Sequence, residues 1–357
     1  MNYVMLKDVC AINMGQSPDS KSYNDTGDGV PFFQGNADFG ARYPVTRKWC
    51  SEPTKMAAPN DILISVRAPI GAMNYARENC CIGRGLAALT PDKSKALPEF
   101  IFWLLKGKNA ELNSKGTGST FKAISRKVLE EIMIPEISLE KQMEFSEILE
   151  RVYGVIQARK EELQKLDELI KARFVELFGD PRSNPFGFEK KMLKDTCKVI
   201  TGNTPSRAIA EYYGDYIEWI KTDNIVSGIL NPTQATESLS EKGMNVGRTV
   251  EKDSILMACI AGSIASIGRV CITDRTVAFN QQINAVVPEQ YNILFLYVLL
   301  QMSKDYLVED INMALKGILS KSKLEEKEFI IPPMDLQEQF SDFVKQVDKS
   351  KFINQLL

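Results

Sequence analysis

The sequence predicts an α+β protein in which two similar domains are separated by long helices that form an antiparallel coiled coil. The central stretch, 138–178, has helical periodicity, and the segments around it match each other at a spacing of about 190 residues. Each copy alternates short apolar runs with Gly, Pro and Asn, a pattern typical of strands and turns. The predicted segments are a first domain, a central spacer helix, a second domain and a short C-terminal spacer helix at residues 1–137, 138–180, 181–334 and 335–357.

The central helix is predicted from its cap, its apolar spacing and its end. Ser138 is a suitable N-cap, while Gly179 followed by Pro181 is the expected order of residues that end a helix. An ordinary core helix is the alternative, but such helices usually run only ~8–20 residues. Apolar residues recur at alternating steps of four and three, as in a coiled coil, with Arg159 at one position of the series: Phe145, Leu149, Val152, Ile156, Leu163, Leu166 and Ile170.

The domain duplication rests on matches that occur in the same order in both halves. Leu6-Lys7-Asp8-Val9-Cys10 matches Leu193-Lys194-Asp195-Thr196-Cys197. Shorter matches follow: Gly15-Gln16-Ser17-Pro18 with Gly202-Asn203-Thr204-Pro205, Phe32-Phe33-Gln34-Gly35 with Trp219-Ile220-Lys221-Thr222, Ile70-Gly71 with Ile267-Gly268, and Ile134-Pro135 with Ile331-Pro332. A repeat this long indicates two domains rather than a solenoid.

A second helix is predicted after the second domain, with Asp335 as its cap and Glu338 completing a capping box. The first helix carries the chain to the second domain, which therefore lies at the far end of that helix. The second helix starts there, so it must run antiparallel to the first if the two pack together. Two like domains on two antiparallel helices have the pseudo-two-fold symmetry with which dimeric proteins contact duplex DNA.

Composition excludes several classes of protein. No run of eighteen apolar residues is present, so no membrane span is predicted. Seven scattered cysteines without a C-x-x-C pair favour a reducing compartment, and we expect a cytoplasmic protein. The absence of histidine removes the commonest general base and every His-ligated zinc site. The net charge of −2 gives little support to DNA binding, although residues 1–135 carry 17 basic and 13 acidic side chains, or +4.

Four further sequence features resemble a known family. The joint Leu177-Phe178-Gly179-Asp180-Pro181 is similar to that of the specificity subunits of type I restriction-modification systems. Asn280-Gln281-Gln282-Ile283-Asn284 and Asp253-Ser254-Ile255-Leu256 also resemble that family. So does the pattern Pro-x-x-x-Leu-x-x-Gln, which places residues 135–142 in register with residues 332–339.

This resemblance implies a non-catalytic DNA-reading subunit in which each target recognition domain reads one half of a split site. The helices would set the gap between the halves and dock two adenine methyltransferase subunits, and a motor-nuclease subunit would join for cleavage. The chain itself would need no cofactor, because S-adenosylmethionine, ATP and magnesium would belong to the partner subunits. The short second helix departs from the family pattern.

Two other functions remain open at this point. One is a helical scaffold that joins partners without reading bases. The other is a metal-dependent nuclease, suggested by Glu189-Lys190-Lys191 and Glu325-Glu326-Lys327. The sequence lacks both Asn-Pro-Pro-aromatic, the motif of amino-methyltransferases, and the P-loop of ATP-driven motors. Residues 116–120, Gly-Thr-Gly-Ser-Thr, predict a mobile loop or a phosphate contact.

Polar side chains in loops are the candidate DNA contacts, since arginine suits guanine, amides suit adenine, and lysine or arginine suits phosphate. The candidates of the first domain are Gln34, Asn36, Arg42, Arg47, Lys48, Arg67, Lys115 and Lys122. Those of the second domain are Lys221, Asp223, Asn224, Arg269, Lys316 and Lys321. A solvated surface charge is an equal alternative for each residue alone; recurrence at equivalent places in both copies favours the set. Gln281 and Gln282 could serve either the sheet or DNA.

Overall fold

The computed structural model describes residues 2–118, 122–311 and 317–356, with side chains up to residue 351. Contacts divide the chain into two compact units, residues 1–157 and 158–357. The division falls inside the long central helix α5 (Leu139–Phe178). The domain boundaries given above therefore stay predictions.

The first unit combines a four-stranded antiparallel sheet, a five-stranded mixed sheet and a short strand pair. Its strands are: β1 (Tyr3–Met5), β2 (Cys10–Met14), β3 (Tyr23–Asn24), β4 (Val30–Phe33), β5 (Trp49–Cys50), β6 (Met56–Ala57), β7 (Ile62–Ser65), β8 (Met73–Tyr75), β9 (Cys80–Ile82), β10 (Leu86–Pro91) and β11 (Met133–Pro135). The antiparallel sheet has the order β2-β10-β7-β8 and the mixed sheet β3-β5-β4-β9-β6, while β1 pairs with β11. Strands β4 and β9 run parallel, so the loops that follow them leave the sheet at one edge.

Helices cover the antiparallel sheet of this unit. They are α1 (Leu6–Val9), α2 (Pro98–Gly107), α3 (Asn109–Ser114), α4 (Arg126–Glu130) and the start of α5. Pro98 occupies the first turn of α2, where its lack of an N–H leaves no helix hydrogen bond unmade. Phe102 stacks on Tyr75 with ring centroids 4.7 Å apart, and Trp103 meets Tyr153 of α5 at 5.3 Å. Aromatic side chains of α2 thus join the sheet to the first turns of α5.

The second unit repeats this arrangement. Its strands are: β12 (Lys190–Met192), β13 (Cys197–Thr201), β14 (Tyr213–Gly214), β15 (Ile217–Ile220), β16 (Ser238–Leu239), β17 (Thr249–Val250), β18 (Ile255–Ala258), β19 (Ile260–Ala261), β20 (Val270–Ile272), β21 (Val277–Phe279), β22 (Ile283–Pro288), β23 (Gly317–Ile318) and β24 (Glu328–Ile330). The four-stranded sheet has the order β13-β22-β18-β20 and the five-stranded sheet β14-β16-β15-β21-β17, with β15 parallel to β21. Its helices are α6 (Glu241–Val246), α7 (Ile293–Met302), α8 (Lys304–Val308), α9 (Lys321–Glu326) and α10 (Met334–Leu356).

Helix α5 begins and ends where the sequence predicts. The Ser138 hydroxyl accepts the backbone N–H of Lys141 at 3.4 Å. At the other end Gly179 has φ +71°, a conformation that favours glycine, and its N–H donates to the Val175 carbonyl at 2.8 Å. Helix α10 begins one residue earlier than predicted, so Asp335 lies inside its first turn and is not the cap.

Within the second unit, α10 packs antiparallel to the second half of α5. The ring of Phe340, early in α10, lies 5.5 Å from that of Phe174, late in α5. The ammonium of Lys351, near the end of α10, lies 2.7 Å from the Asp167 carboxylate, earlier in α5. Residue numbers rise along one helix as they fall along the other. The predicted antiparallel pairing is therefore confirmed, as is the α+β class with two similar domains.

Both units anchor the start of their spacer helix with a buried glutamine. Gln142 accepts the Leu97 N–H at 2.9 Å and donates to the Ile137 carbonyl. Gln337 makes the same bonds, accepting the Asn292 N–H at 2.9 Å and donating to the Pro332 carbonyl. The predicted register of 135–142 with 332–339 is therefore wrong by two residues, because a polar pattern was aligned without knowing which glutamine is buried.

In the ranges that the structure describes, no helix is both long and apolar enough to cross a membrane.

Candidate nucleic-acid interface

Three loops of the first unit meet at the edge where β4 and β9 end. We call residues 15–18, 34–36 and 83–85 the first strand-end cluster. The Gly15 N–H donates to the Leu86 carbonyl at 2.9 Å, and the Gly83 N–H to the Phe33 carbonyl at 2.8 Å. The Gly85 N–H donates to the Gln34 carbonyl at 3.1 Å. The three loops are therefore held in one arrangement by backbone hydrogen bonds.

Glycine is required where these loops approach one another. A Cβ on Gly15 would collide with the Gly83 carbonyl oxygen, and one on Gly85 with the Gln34 carbonyl oxygen. The backbones thus pack more closely than other residues allow. The Gly15-Gln16-Ser17-Pro18 motif found in the sequence has this packing as its physical basis.

The second unit builds the same framework from residues 202–205, 221–223 and 280–282, which we call the second strand-end cluster. The Gly202 N–H donates to the Ile283 carbonyl at 3.0 Å, and the Asn280 N–H to the Ile220 carbonyl at 3.0 Å. A Cβ on Gly202 would collide with the Asn280 carbonyl oxygen. These two backbone hydrogen bonds of the first cluster therefore recur in the second, whereas the bond from Gly85 does not, because the Gln282 N–H donates to the Asn280 side chain.

The structure brings three predicted residues of the first unit onto adjoining segments. Gln34 is exposed in the cluster itself. Val66 donates its N–H to Gly85 at 2.9 Å, which places the exposed Arg67 beside the cluster. Arg67 forms a β-bridge with Ala123, next to the exposed Lys122. One amide and two basic side chains thus lie along one edge.

Four other candidates of the first unit occupy varied positions. Asn36 is half-buried in the cluster, and Lys48 lies beside it, since its carbonyl accepts the Phe32 N–H at 2.9 Å. Arg47 is exposed. The ammonium of Lys115 lies 2.8 Å from the Glu111 carboxylate, and this ion pair and that with Lys108 lower the pKa of Glu111 to about 2.

Arg42 has a structural environment. Its guanidinium lies 4.9 Å from the ring centroid of Tyr75 and 5.2 Å from that of Phe102, and it forms an ion pair with Glu150 of α5. These contacts hold the loop against the first turns of α5 and leave the guanidinium little freedom to meet a base. A DNA contact by Arg42 stays a prediction that this packing does not favour.

In the second unit, Lys221 and Asn224 also have internal partners. Lys221 forms an ion pair with Glu237 and lies 5.1 Å from the Trp219 ring centroid. Asn224 is buried, and its side chain accepts the Lys221 N–H at 3.0 Å, as Asp38 accepts the Gln34 N–H at 2.8 Å. Asn224 therefore shapes the loop.

The remaining candidates of this unit differ in exposure. Asp223 is exposed. The Arg269 guanidinium donates to the Thr222 carbonyl at 3.1 Å and so braces the loop that carries Asp223. Lys321 forms a 3.5 Å ion pair with Glu325. Lys316 lies outside the described residues.

Two basic candidates of the second unit, Arg269 and Lys321, do not lie at places equivalent to a candidate of the first unit. Ile260 pairs with Ile318 as Arg67 pairs with Ala123, so the counterpart of Arg67 is Ile260 and not Arg269. Lys321 follows the cap Ser320 as Arg126 follows the cap Ser125. The sequence offset between equivalent residues of the two copies changes along the chain. The polar loops contain no matching residues from which this change can be read in the sequence. These residues stay candidates only individually.

The sequence also matches a known family over most of its length. The family model for the type I restriction modification DNA specificity domain matches residues 1–168 and 185–357. The chain belongs to this family. The resemblance inferred from the joint and the duplication is thereby confirmed, and the chain contains two regions that match this specificity domain.

Individual relatives agree with this. The chain is 42% identical over 157 residues to the MjaX specificity subunit of Methanocaldococcus jannaschii, a match that covers 44% of this chain and only 37% of that relative. It is 25% identical to the MjaIX specificity subunit of the same organism, over 98% of this chain and 87% of the relative. The crystal structure of a type I restriction-modification S subunit from M. genitalium shares the fold, with TM-score 0.59, 14% identity and coverage of 99% of this chain and 91% of that one.

Two arginines of the specificity domains were missed by the sequence argument. Arg84 is exposed at the tip of the turn in the first strand-end cluster. Arg207 lies 4.5 Å from the ring centroid of Tyr213 and 5.2 Å from that of Trp219, with its guanidinium 2.6 Å from Glu237. The glycines on both sides of Arg84 were the available indication, because they mark a tight turn.

Acidic side chains, nuclease-like residues and thiols are the candidates for a metal site or a nucleophile. Within the described ranges, no group of three or more His, Cys, Asp or Glu side chains could hold a metal ion. In the nuclease-like motif Glu325-Glu326-Lys327, the Lys327 ammonium forms ion pairs with Glu309 at 3.1 Å and Asp310 at 2.9 Å, and Glu325 forms an ion pair with Lys321. Burial raises the pKa of five thiols to about 12, which makes them poor nucleophiles: Cys10, Cys80, Cys197, Cys259 and Cys271.

Proposed function

We propose that this chain is the DNA-reading subunit of its restriction-modification complex, and that each specificity domain reads one half of a split duplex site. The observation that carries the proposal is the strand-end framework, built twice around equivalent backbone hydrogen bonds from Gly15 and Gly83 and from Gly202 and Asn280, in a chain of this family. A duplicated binding surface in one chain contacts two half-sites as a dimer would.

The chemistry of the two clusters suits base contacts more than general attraction to DNA. The net charge of −2 provides little long-range attraction. Each cluster instead presents a few amide and basic side chains on loops fixed by the backbone, the arrangement that base-edge recognition needs. Arg67 and Lys122, at the edge of the first cluster, would contact phosphates and set its position.

The first half of α5 provides the surface for partner subunits. An apolar stripe lies on one face of this half, and all of its side chains are at least 43% exposed: Phe145, Ile148, Leu149, Val152, Val155 and Ile156. Six large apolar side chains on one exposed helix face are typical of a protein–protein interface. We assign this stripe to a methyltransferase subunit, two copies of which, with a motor-nuclease subunit, would complete the complex.

In this proposal the chain is non-catalytic and binds no cofactor. S-adenosylmethionine, ATP and magnesium would be bound by the partner subunits. The lack of histidine and the buried thiols support this division of labour. A cytoplasmic location stays a prediction from the cysteine pattern.

The decisive experiment for DNA reading is a genome-wide map of adenine methylation, with and without this gene. We expect an interrupted motif that disappears on deletion and returns on complementation. An unchanged map would contradict the proposal and favour a scaffold that does not read bases. The same assay tests the spacing. One heptad inserted between Gln157 and Ala158 should lengthen the gap between the two half-sites by at most about 3 base pairs, since seven residues add ~10 Å of helix. The sequences of both half-sites should stay unchanged.

Docking is tested by Val152→Glu, which places a charge at the centre of the apolar stripe. Gly154→Glu is the matched control, because a Cβ at Gly154 meets nothing within 4 Å. Co-purification of the methyltransferase subunit should be lost with Val152→Glu and kept with Gly154→Glu. Equal retention by both variants would exclude the stripe as the docking surface.

A further inference from the structure

One four-residue turn occupies the same place in both strand-end clusters. In the first unit the Leu86 N–H donates to the Gly83 carbonyl at 3.0 Å, and in the second the Ile283 N–H donates to the Asn280 carbonyl at 3.1 Å. These bonds define β-turns at 83–86 and 280–283. The second residue of each turn is exposed: Arg84 in the first and Gln281 in the second.

The turns are fixed on both sides by their neighbours. Residues 83 and 280 donate to β4 and β15, while residues 86 and 283 accept from Gly15 and Gly202. A hydroxyl at equivalent positions also meets each tip, since Ser17 accepts the Arg84 N–H at 3.4 Å and Thr204 donates to the Gln281 side-chain oxygen. A tip held in this way presents its side chain with little loss of backbone entropy on binding.

The two tips differ where their framework is the same. In the described part of the chain, the Arg84 guanidinium has no hydrogen-bond or ion-pair partner. The Gln281 side-chain oxygen accepts a hydrogen bond from the Thr204 hydroxyl, and rotation of either side chain can break this bond. An unpaired guanidinium suits the two acceptors of guanine, and a primary amide suits adenine. A shared frame with different tips is what two unlike half-sites require.

We propose that Arg84 and Gln281 are base-reading residues, one for each half of the site. Arg84 contacts a guanine through two parallel hydrogen bonds in the half read by the first domain. Gln281 contacts an adenine in the half read by the second domain. This inference rests on the proposed function, and it adds the residues and the kind of base.

The test measures binding of duplexes that carry the methylated motif, with every base pair changed one at a time. The protein is the full chain purified with its methyltransferase subunit. For the wild type, we expect that replacing one G·C pair of one half weakens binding by roughly 5- to 150-fold, the range for a bidentate contact. Arg84→Lys should abolish that discrimination, because an ammonium keeps the charge but not the paired geometry. Arg84→Gln should shift the preference there towards A·T.

Gln281→Ala should abolish discrimination at one A·T pair of the other half, so each half serves as the control for the other. Lys93→Gln removes an exposed charge away from the clusters and should change no preference. Thermal unfolding should be unaltered in all four variants, because the substituted side chains are exposed. An Arg84 or Gln281 variant that unfolds at a lower temperature would contradict the inference, since that residue would then be structural.

Two outcomes would overturn the inference while leaving the proposed function intact. One is that Arg84→Lys keeps wild-type discrimination at every base pair, or weakens all sequences equally as loss of a phosphate contact would. The other is that Arg84 and Gln281 variants affect the same half. Failure of the proposed function looks different, because the wild-type complex itself would then show no preference for a split motif.

Discussion

Replacing Phe174 with alanine should destabilise the second unit severely. Phe174 is fully buried, with ring centroids 5.0 Å from Phe178, 5.7 Å from Phe295 and 5.5 Å from Phe340. Through these rings α5, α7 and α10 share one hydrophobic core. Truncation therefore leaves a cavity where three helices meet.

The expected loss is about 3–5 kcal/mol in the free energy of unfolding, the usual range for a buried phenylalanine. Each aromatic pair is worth about 0.5–1.5 kcal/mol beyond its area, so three pairs favour the upper part of that range. The matched control is Val175→Ala on the next position of α5. Val175 is 45% exposed, so its replacement with alanine should lower the free energy of unfolding by no more than about 0.5 kcal/mol.

Hydrogen exchange measured by mass spectrometry resolves the two units separately. A loss of 3–5 kcal/mol should speed exchange of the α7 amides by roughly 100-fold or more where they exchange through unfolding of the unit. Peptides from β7 and β10 in the first unit should keep their wild-type rates. The packing argument is refuted if the α7 amides keep their protection from exchange in Phe174→Ala. It is also refuted if Val175→Ala lowers that protection as much as Phe174→Ala does.

Three more predictions concern buried polar groups. Gln142→Ala should lower the free energy of unfolding by about 1–3 kcal/mol in urea titrations, because the Leu97 N–H loses its acceptor inside the protein; the exposed Gln164→Ala should change it by less than about 0.5 kcal/mol. The seven buried thiols should resist Ellman's reagent at pH 8 and all react in denaturant, and rapid labelling of the folded chain would contradict their burial. Since burial raises the pKa of Cys259 from 9.0 to about 12, its contribution to stability is complete below pH 9 and is lost as pH rises towards 12.

Long regular elements and exact local matches were predictable from the sequence. The apolar spacing, Ser138 and Gly179 gave the bounds of α5, because a helix depends on local periodicity and caps. The Gly-x-Ser/Thr-Pro matches were visible as part of the repeat, and their glycines lie where only glycine tolerates the close backbone approach. Both features are written in short stretches of sequence.

Side-chain partners were not predictable in the same way. Arg42 and Arg84 are both arginines in polar loops, yet Arg42 lies against Tyr75 and pairs with Glu150, while Arg84 stands exposed at a turn. The partners of Arg42 are distant in sequence. No local pattern distinguishes an arginine that holds the fold together from one that can meet a ligand.

By itself the sequence determined that one domain occurs twice, that a forty-residue helix follows the first copy, and that the chain belongs to the type I specificity family. Only the tertiary structure decided which glutamines anchor the spacer helices, how much of the α5 stripe α10 covers, and which polar side chains remain exposed at the strand ends. The reason is physical. Periodicity and close backbone approach depend on neighbouring residues, whereas burial and pairing of a polar group depend on segments that only folding brings together.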